Sequence, residues 1–522
     1  MLKSLDPEAP ASGTLDVLDR LSIGYLTVPL GLFIVGWFRW WAALPLLACG
    51  VYALRPLVAA GAAPAARSHP VTSAHLLVAV TVGLLWTVLG GTDHLVFANA
   101  DWHVRDAVLH DLVASPWPVG YGLHGGEDTV LRTSVAYYLP AALVGKAAGL
   151  AAAHAALCVW TAAGVILFLL QLLSITGARL RVALLIAALV VLFSGMDIVG
   201  ELLDGGPRFR QDWNITTHIE WWAGNYQYSS LTTQLFWVPN HALGGWIMIG
   251  LLCRRGPGSP LDAMLPMLLV AAALWSPLTA VGLLPFAAWR AVLILRRGGA
   301  RGVLRVGVLV PALLIGLAIA AYLGLDAGGV RRGMLVSTHA DATMSVLRQV
   351  QFFLLEAGLL GMAVLLVRPS AELIVALVVL LLLPCASLGP GNDLVMRASI
   401  PSLVVLMLGA CRALLEKPTH PRAARARIAV GVLLAIGAVT PIAELARAVT
   451  LPRWPINTEA TLIGVNCGGF PPHYIARLGD RTLARILRPP TRLDLGPQGP
   501  KQCDNPGLDL MWAYLTPPRR RT

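Results

Sequence analysis

Thirteen apolar runs recur along the chain, near residues 22–38, 41–60, 73–91, 151–175, 179–200, 231–252, 262–275, 277–295, 306–325, 349–367, 371–388, 398–415 and 428–443. Many approach the roughly 20 residues that a helix needs to cross hydrocarbon. None reads as the alternating, roughly ten-residue strand of a membrane barrel. Inside lipid an unpaired backbone N–H or C=O has no water to turn to, so only helices and closed barrels span. The pattern predicts an all-α, polytopic integral membrane protein of about 13 transmembrane helices.

The connectors alternate in character. One set is short and basic: Arg55 and Arg67, GARLR (177–181), CRRGPG (253–258), LRRGGARG (295–302), Arg368 and CRALLEKPTHPRAARAR (411–427). The other is long, aromatic and mixed in charge: 92–150, 201–230, 326–348 and 389–397. Basic residues in short connectors mark the cytoplasmic side. The N-terminus is therefore expected inside, and the long connectors and the tail after 447 outside. Residues 1–72 then form an N-terminal tail and hairpin, 73–447 a transmembrane core, and 448–522 an outer tail. SVAYYLPAALVGKAAG (134–149) is short and ends in Lys146; counting it as a span would put GARLR outside. It reads instead as an interfacial helix of the first outer loop, with Tyr137, Tyr138 and Lys146 at headgroup level.

Composition narrows the classes. The 522 residues are 56% hydrophobic and 13% charged, with mean hydropathy +0.69, whereas a soluble domain carries about 25% charge. The net charge of +12 sits in the basic connectors and does not call for nucleic acid. The first residues are mixed in sign, with Asp6, Glu8, Asp16 and Asp19, unlike a cleavable signal. Five cysteines lie in or beside apolar runs, where Cys behaves as a small hydrophobe. Cys467 and Cys503 fall in the outer tail and are expected to form a disulfide there, because that compartment is oxidising. No CxxC or Cys/His cluster suggests zinc.

Unusual polar content concentrates in four places. In GTDHLVFANADWHVRDAVLHD (91–111), a helix over 99–112 puts Asp101 and Arg105 on one face. Asp106 then lies about 140° from Asp101, and Asp93 sits apart at the exit of the preceding run. The stretch 194–246 combines Trp213, Trp221, Trp222 and Trp237 with His218, Glu220, Gln227, Asn240 and His241. Flat rings beside hydrogen-bonding groups suit a sugar, though Trp also gathers at membrane interfaces. GPGNDLVMRASIP (389–401) offers Asn392, Asp393 and Arg397, the last two spaced as an ion pair. Glu356 stands in QFFLLEAGLLGMAVLLV (351–367), where an acid is either functional or paired with a neighbour such as Arg348.

The layout resembles the GT-C class of integral-membrane glycosyltransferases over roughly 73–415. A span leads into a long outer loop with an acidic motif near its start, TDHLVFANADWHVRD (92–106). The tyrosine-bearing YYLPAALVGKAAG (137–149) follows before the next span. Two extra spans precede this core, and the usual tight acidic pair is spread over Asp93, Asp101 and Asp106. The resemblance implies interfacial helices in the first outer loop and a donor sugar on a polyprenyl phosphate or diphosphate. The acceptor would be a cell-envelope glycan, a lipid or a protein. The place would be the outer, periplasmic face of a bacterial inner membrane. Asp101 is the first choice for the base, then Asp93, then Asp106. Asn99, Trp102, His103, Arg105, His218, Glu220, Trp237, Asn240, His241, Asn392, Asp393 and Arg397 form the expected substrate-binding set. Arg397 would hold the lipid phosphate, and a divalent cation is an admissible partner. Two rivals stand beside this reading. A transporter would carry repeats and midplane polar breaks. An O-antigen-type polymerase or ligase would rely on Arg208, Arg210, Arg331, Arg332 and His339.

Overall fold

The computed structural model describes residues 15–57, 69–122, 128–177, 179–205, 218–224, 226–296, 306–330, 332–334, 342–389, 392–466, 471–479 and 481–493. The chain is mostly helical. Among the described residues six helices are long and apolar enough to cross a membrane: Val17–Trp37, Leu150–Thr176, Pro277–Arg296, Gly307–Gly324, Val346–Val367 and Pro421–Thr450. Shorter apolar helices include Trp40–Ala53, Ser73–Leu89, Leu180–Val191, Leu261–Trp275 and Ile400–Leu415. Large apolar side chains such as Leu77, Leu85, Leu313 and Leu366 point outward from the bundle.

Local chemistry sets the helix ends. Val17–Trp37 starts at a reciprocal cap in which Asp16 accepts from Asp19 N and Asp19 from Asp16 N. The cap satisfies N–H groups that the first turn leaves free. Several edges differ from the sequence expectation. The run 179–200 is helical only to Val191; Ser194 and Gly195 turn the chain and a new helix begins at Asp197. The run 231–252 breaks at Val238, which leaves the α region before Pro239 because the proline ring crowds the residue ahead of it. The run 371–388 ends in a 3₁₀ turn at Cys385, and Ala386–Leu388 becomes a strand paired with Arg332–Met334. The last run extends over 421–450, opened by Pro421 in its first turn.

Contacts sort the connectors into two groups at opposite ends of the bundle. Asp16 and Asp19 at the start of the first helix meet Arg254 and Arg255. His69 N–H reaches Ser174 O, Arg290 meets Asp262, and Arg368 meets Glu416 at that same end of their helices. Trp37 and Phe38, at the other end of the first helix, meet Arg488 and Leu487. There the tail folds over the first loop. Ile475–Arg477 pairs antiparallel with Thr129–Leu131, and Thr491–Arg492 parallel with Val119–Gly120. Leu139–Ala148 has only ten residues, and Lys146 Nζ donates to Ser115 O at 2.6 Å, back into the first loop. Cys467 and Cys503 lie outside the described residues, as do Arg208, Arg210, Arg331 and His339. Arg332 is exposed in its strand.

Candidate functional site

Asp101 is the first residue of the helix Asp101–Ala114, and its Oδ2 accepts from Arg105 Nη2 at 2.8 Å. The guanidinium side chain is 3% exposed and the carboxylate 46%, so the acid faces outward while its cation is buried. Asn99 turns the chain into this start: its Oδ1 accepts from Asp101 N at 3.0 Å. Asn99 Nδ2 and Trp102 Nε1 both donate to Phe236 O, at 2.7 and 3.1 Å. These two side chains tie the first loop to the segment 231–237. Asp93 is half-buried, accepting from Leu95 N at 3.1 Å, with Cys158 Sγ 3.7 Å away.

Asp106 sits deep, beside His94 Nε2 at 3.0 Å and His154 Nδ1 at 3.9 Å. His94 Nδ1 lies 3.2 Å from Trp454 O. A carbonyl only accepts, so that nitrogen carries hydrogen. His103 stacks on Trp454 with ring centroids 4.1 Å apart. Burial pushes the His103 imidazole down to about 4, against the opposing pull of Asp106, so it is neutral at pH values near 7. Asp106 and His103 are therefore enclosed groups, unlike Asp101.

A second helix start repeats the first. Asp393 opens Asp393–Ala398 and pairs with Arg397 at 2.8 Å. Asn392 precedes it in the left-handed region (φ +55°), where Asn is tolerated, and its Oδ1 accepts from Leu388 N at 3.3 Å. Tyr474, brought in by the tail, lies within electrostatic range of Asp101, Arg105, Asp393 and Arg397. His241 senses both guanidinium groups as well. Its Nδ1 is 3.0 Å from Ser276 Oγ and its Nε2 is 3.2 Å from Asn240 Nδ2. Arg105 Nε and Asn240 Oδ1 are buried without a hydrogen-bond partner among the described residues. Tyr474 thus lies within charge–charge range of both Asp–Arg pairs, and His241, with Asn240 attached, within that range of Arg105 and Arg397.

The remaining expected residues gather elsewhere. His218 Nδ1 meets Glu444 Oε1 at 3.0 Å, and its Nε2 lies 3.8 Å from Glu220. Trp237 Nε1 donates to Glu444 Oε2 at 3.2 Å, and Arg447 pairs with Glu444 at 2.7 Å. Burial pushes the Glu220 carboxyl up to about 7, although His218 pulls the other way. This group adjoins the first loop, since Trp237 follows the carbonyl that Asn99 and Trp102 hold and Phe97 N donates to Ala448 O at 3.2 Å. The expected Arg348 partner of Glu356 is not found. Arg348 pairs with Asp204 at 2.9 Å on the surface, while Glu356 accepts from Trp222 Nε1 at 2.9 Å.

Sequence reasoning singled out neither Tyr474 nor Trp454, and it gave no role to His94, Asp197, Glu444 or Arg447. The i,i+3 spacing of Glu444 and Arg447 was a signal for the last pair. Among the described residues no group of three or more His, Cys, Asp or Glu is arranged to hold a metal ion. Compared with protein-family models, curated proteins and solved structures, the chain matches none.

Proposed function

We propose that the protein is an integral-membrane glycosyltransferase of GT-C-like layout. It moves a sugar from a polyprenyl phosphate or diphosphate to a cell-envelope glycan, lipid or protein. In this reading thirteen helices cross a bacterial cell membrane, the N-terminus is cytoplasmic, and the first loop and tail face outward. The two-ended grouping of connectors and the basic character of one group support that orientation.

The observation that carries the reading is that two helix starts, each an Asp–Arg pair at 2.8 Å, lie within charge–charge range of one tail residue, Tyr474. A guanidinium fork matches the oxygens of a phosphate, and Arg105 keeps one buried N–H unspent. Asp101 is the exposed acid of the two pairs. It takes the proton of the acceptor hydroxyl as that oxygen bonds to the anomeric carbon. The bond from that carbon to the phosphate oxygen breaks, and its electron pair leaves on the lipid phosphate. Arg105 and Arg397 stabilise the charge that develops there. Asp93 and Asp106 rank behind Asp101 because the first is spent on Leu95 N and the second is enclosed by histidines.

Binding of a polyprenyl phosphate to the purified protein in lipid nanodiscs tests this. The wild type should retain the lipid. Arg105→Ala and Arg397→Ala should each weaken retention at least about tenfold, the loss of roughly one charge-assisted hydrogen bond. Arg348→Ala, which opens only a surface pair, should not. Equal retention by all four proteins would overturn the assignment.

A further inference from the structure

The acid inside an apolar helix plays no part in that chemistry. Glu356 lies in a single π-helical turn, Leu354–Gly358, between Ala342–Phe353 and Leu359–Val367. Such turns insert a residue into the ladder and recur at functional sites. An acid within a membrane helix is costly unless it has a task or a partner. Here the backbone is shaped around it. A Cβ on Gly195 would fall 2.0 Å from Glu356 Oε2, and one on Gly437 2.5 Å from Ser194 O. Met196 N donates to Leu355 O at 3.1 Å, docking the turn onto the π segment. Two glycines and a π turn therefore bring Glu356 against Asp197.

The local donors are already spent. Asp197 Oδ2 accepts from Ser194 Oγ at 2.8 Å and from Thr440 Oγ1 at 2.9 Å. Glu356 Oε1 takes the Trp222 N–H. Glu356 Oε2 is buried, with no hydrogen bond from the described residues, and the 194–197 turn that carries Asp197 packs on it through Gly195 and the Met196 N–H. The charged groups on the neighbouring elements do not relieve this. Arg447 and His218 both go to Glu444, at 2.7 and 3.0 Å. Glu220, the next acid, is held by Gln227 Nε2 and Ser230 N, and Tyr228 donates to Leu380 O. Four carboxyl groups, Asp197, Glu220, Glu356 and Glu444, thus face two basic side chains. Two neighbouring buried carboxylates, with no donor between them, do not both ionise.

We propose that Asp197 and Glu356 form a proton-binding carboxyl pair that holds one proton at neutral pH. Glu356 carries it and donates its O–H to Asp197, the ionised partner that Ser194 and Thr440 already solvate. The pair joins three segments, the turn at 194–197, the π turn and the helix Val439–Thr450, through that single proton.

Infrared spectroscopy of the full-length protein in lipid vesicles reads the proton directly, independently of any activity. The wild type at neutral pH should show the C=O stretch of a buried, protonated carboxylic acid. Glu220→Gln, measured alongside, removes the nearest other acid able to contribute. In that background one component of the band should be lost in Glu356→Gln and shift in Gly195→Ala, which displaces the Glu356 carboxyl. Absence of the band from wild type at neutral pH would overturn the proposal and requires no variant to fold. Its survival unchanged in folded Glu356→Gln would do the same. A band that appears only when sodium is replaced by a bulky organic cation at constant ionic strength would assign the space to an alkali ion and also overturn it.

Discussion

The two ends of the helical bundle treat buried charge differently, although at both some buried nitrogen is left without a hydrogen-bond partner among the described residues, as Arg255 Nε is at the first. At the end where the first helix begins, acids and bases match: Asp16 and Asp19 against Arg254 and Arg255, with Arg254 Nε also donating to Ser174 Oγ at 2.9 Å. Arg290 likewise meets Asp262, Gly256 O and Ser259 Oγ. At the end covered by the first loop and the tail, the matching is incomplete: Asp101–Arg105, Asp393–Arg397 and Glu444–Arg447 pair there, but other buried groups do not. Asp106 faces two histidines, Asp197 faces another acid, and His103 Nε2, Arg105 Nε and Asn240 Oδ1 have no hydrogen-bond partner among the described residues. A matched cluster fixes helix positions. An unmatched one spends folding free energy on groups that stay available for a ligand or a proton.

That contrast makes separable predictions. The largest stability loss belongs to the matched end. Asp19→Ala removes the fully buried partner of two guanidinium groups and leaves them only the partly exposed Asp16; it should cost about 3–5 kcal/mol, read as a lower unfolding temperature in detergent. Arg397→Ala, at the other end, should lower lipid-phosphate retention as described while changing that temperature little, because Arg397 is partly exposed.

A pH effect comes next. Burial raises the Glu220 carboxyl from its usual 4.5 to about 7. The folded chain then keeps a proton that the unfolded chain has already released between those values. The stability this contributes is complete below about 4.5 and is lost as pH rises through about 7. The unfolding temperature should fall across that window, and Glu220→Gln should flatten the fall. The smallest effect is expected at Arg348–Asp204, both partners of which are about half exposed. Breaking it with Asp204→Asn should cost about 0–1 kcal/mol.

How much of this was legible in the sequence follows from the range of the forces involved. Helices came from apolar runs, since burial and backbone pairing act within one segment. Their ends were missed where a local rule outranked hydrophobicity, as at Val238 before Pro239 and at the Ser194–Gly195 turn. Asp101–Arg105 and Asp393–Arg397 were readable because i,i+4 spacing is a local fact. Their meeting at Tyr474 was not, because it depends on a tail segment folding over the first loop. Of the two readings open for Glu356, pairing with Arg348 rested on nearness in sequence; the π turn instead sets the acid against the 194–197 turn, far away in the chain.

The central claim is that the unmatched end transfers a sugar with Asp101 as base. The most direct measurement is product formation by cells whose chromosomal copy carries Asp101→Asn, with Asp93→Asn as its neighbour control. Asp101→Asn keeps the shape and removes the basic oxygen. The account predicts normal expression, a rate lower by about 10²–10⁴, and lipid-linked sugar accumulating in membrane extracts, with Asp93→Asn less affected. Near-full product from both variants at normal expression would contradict it.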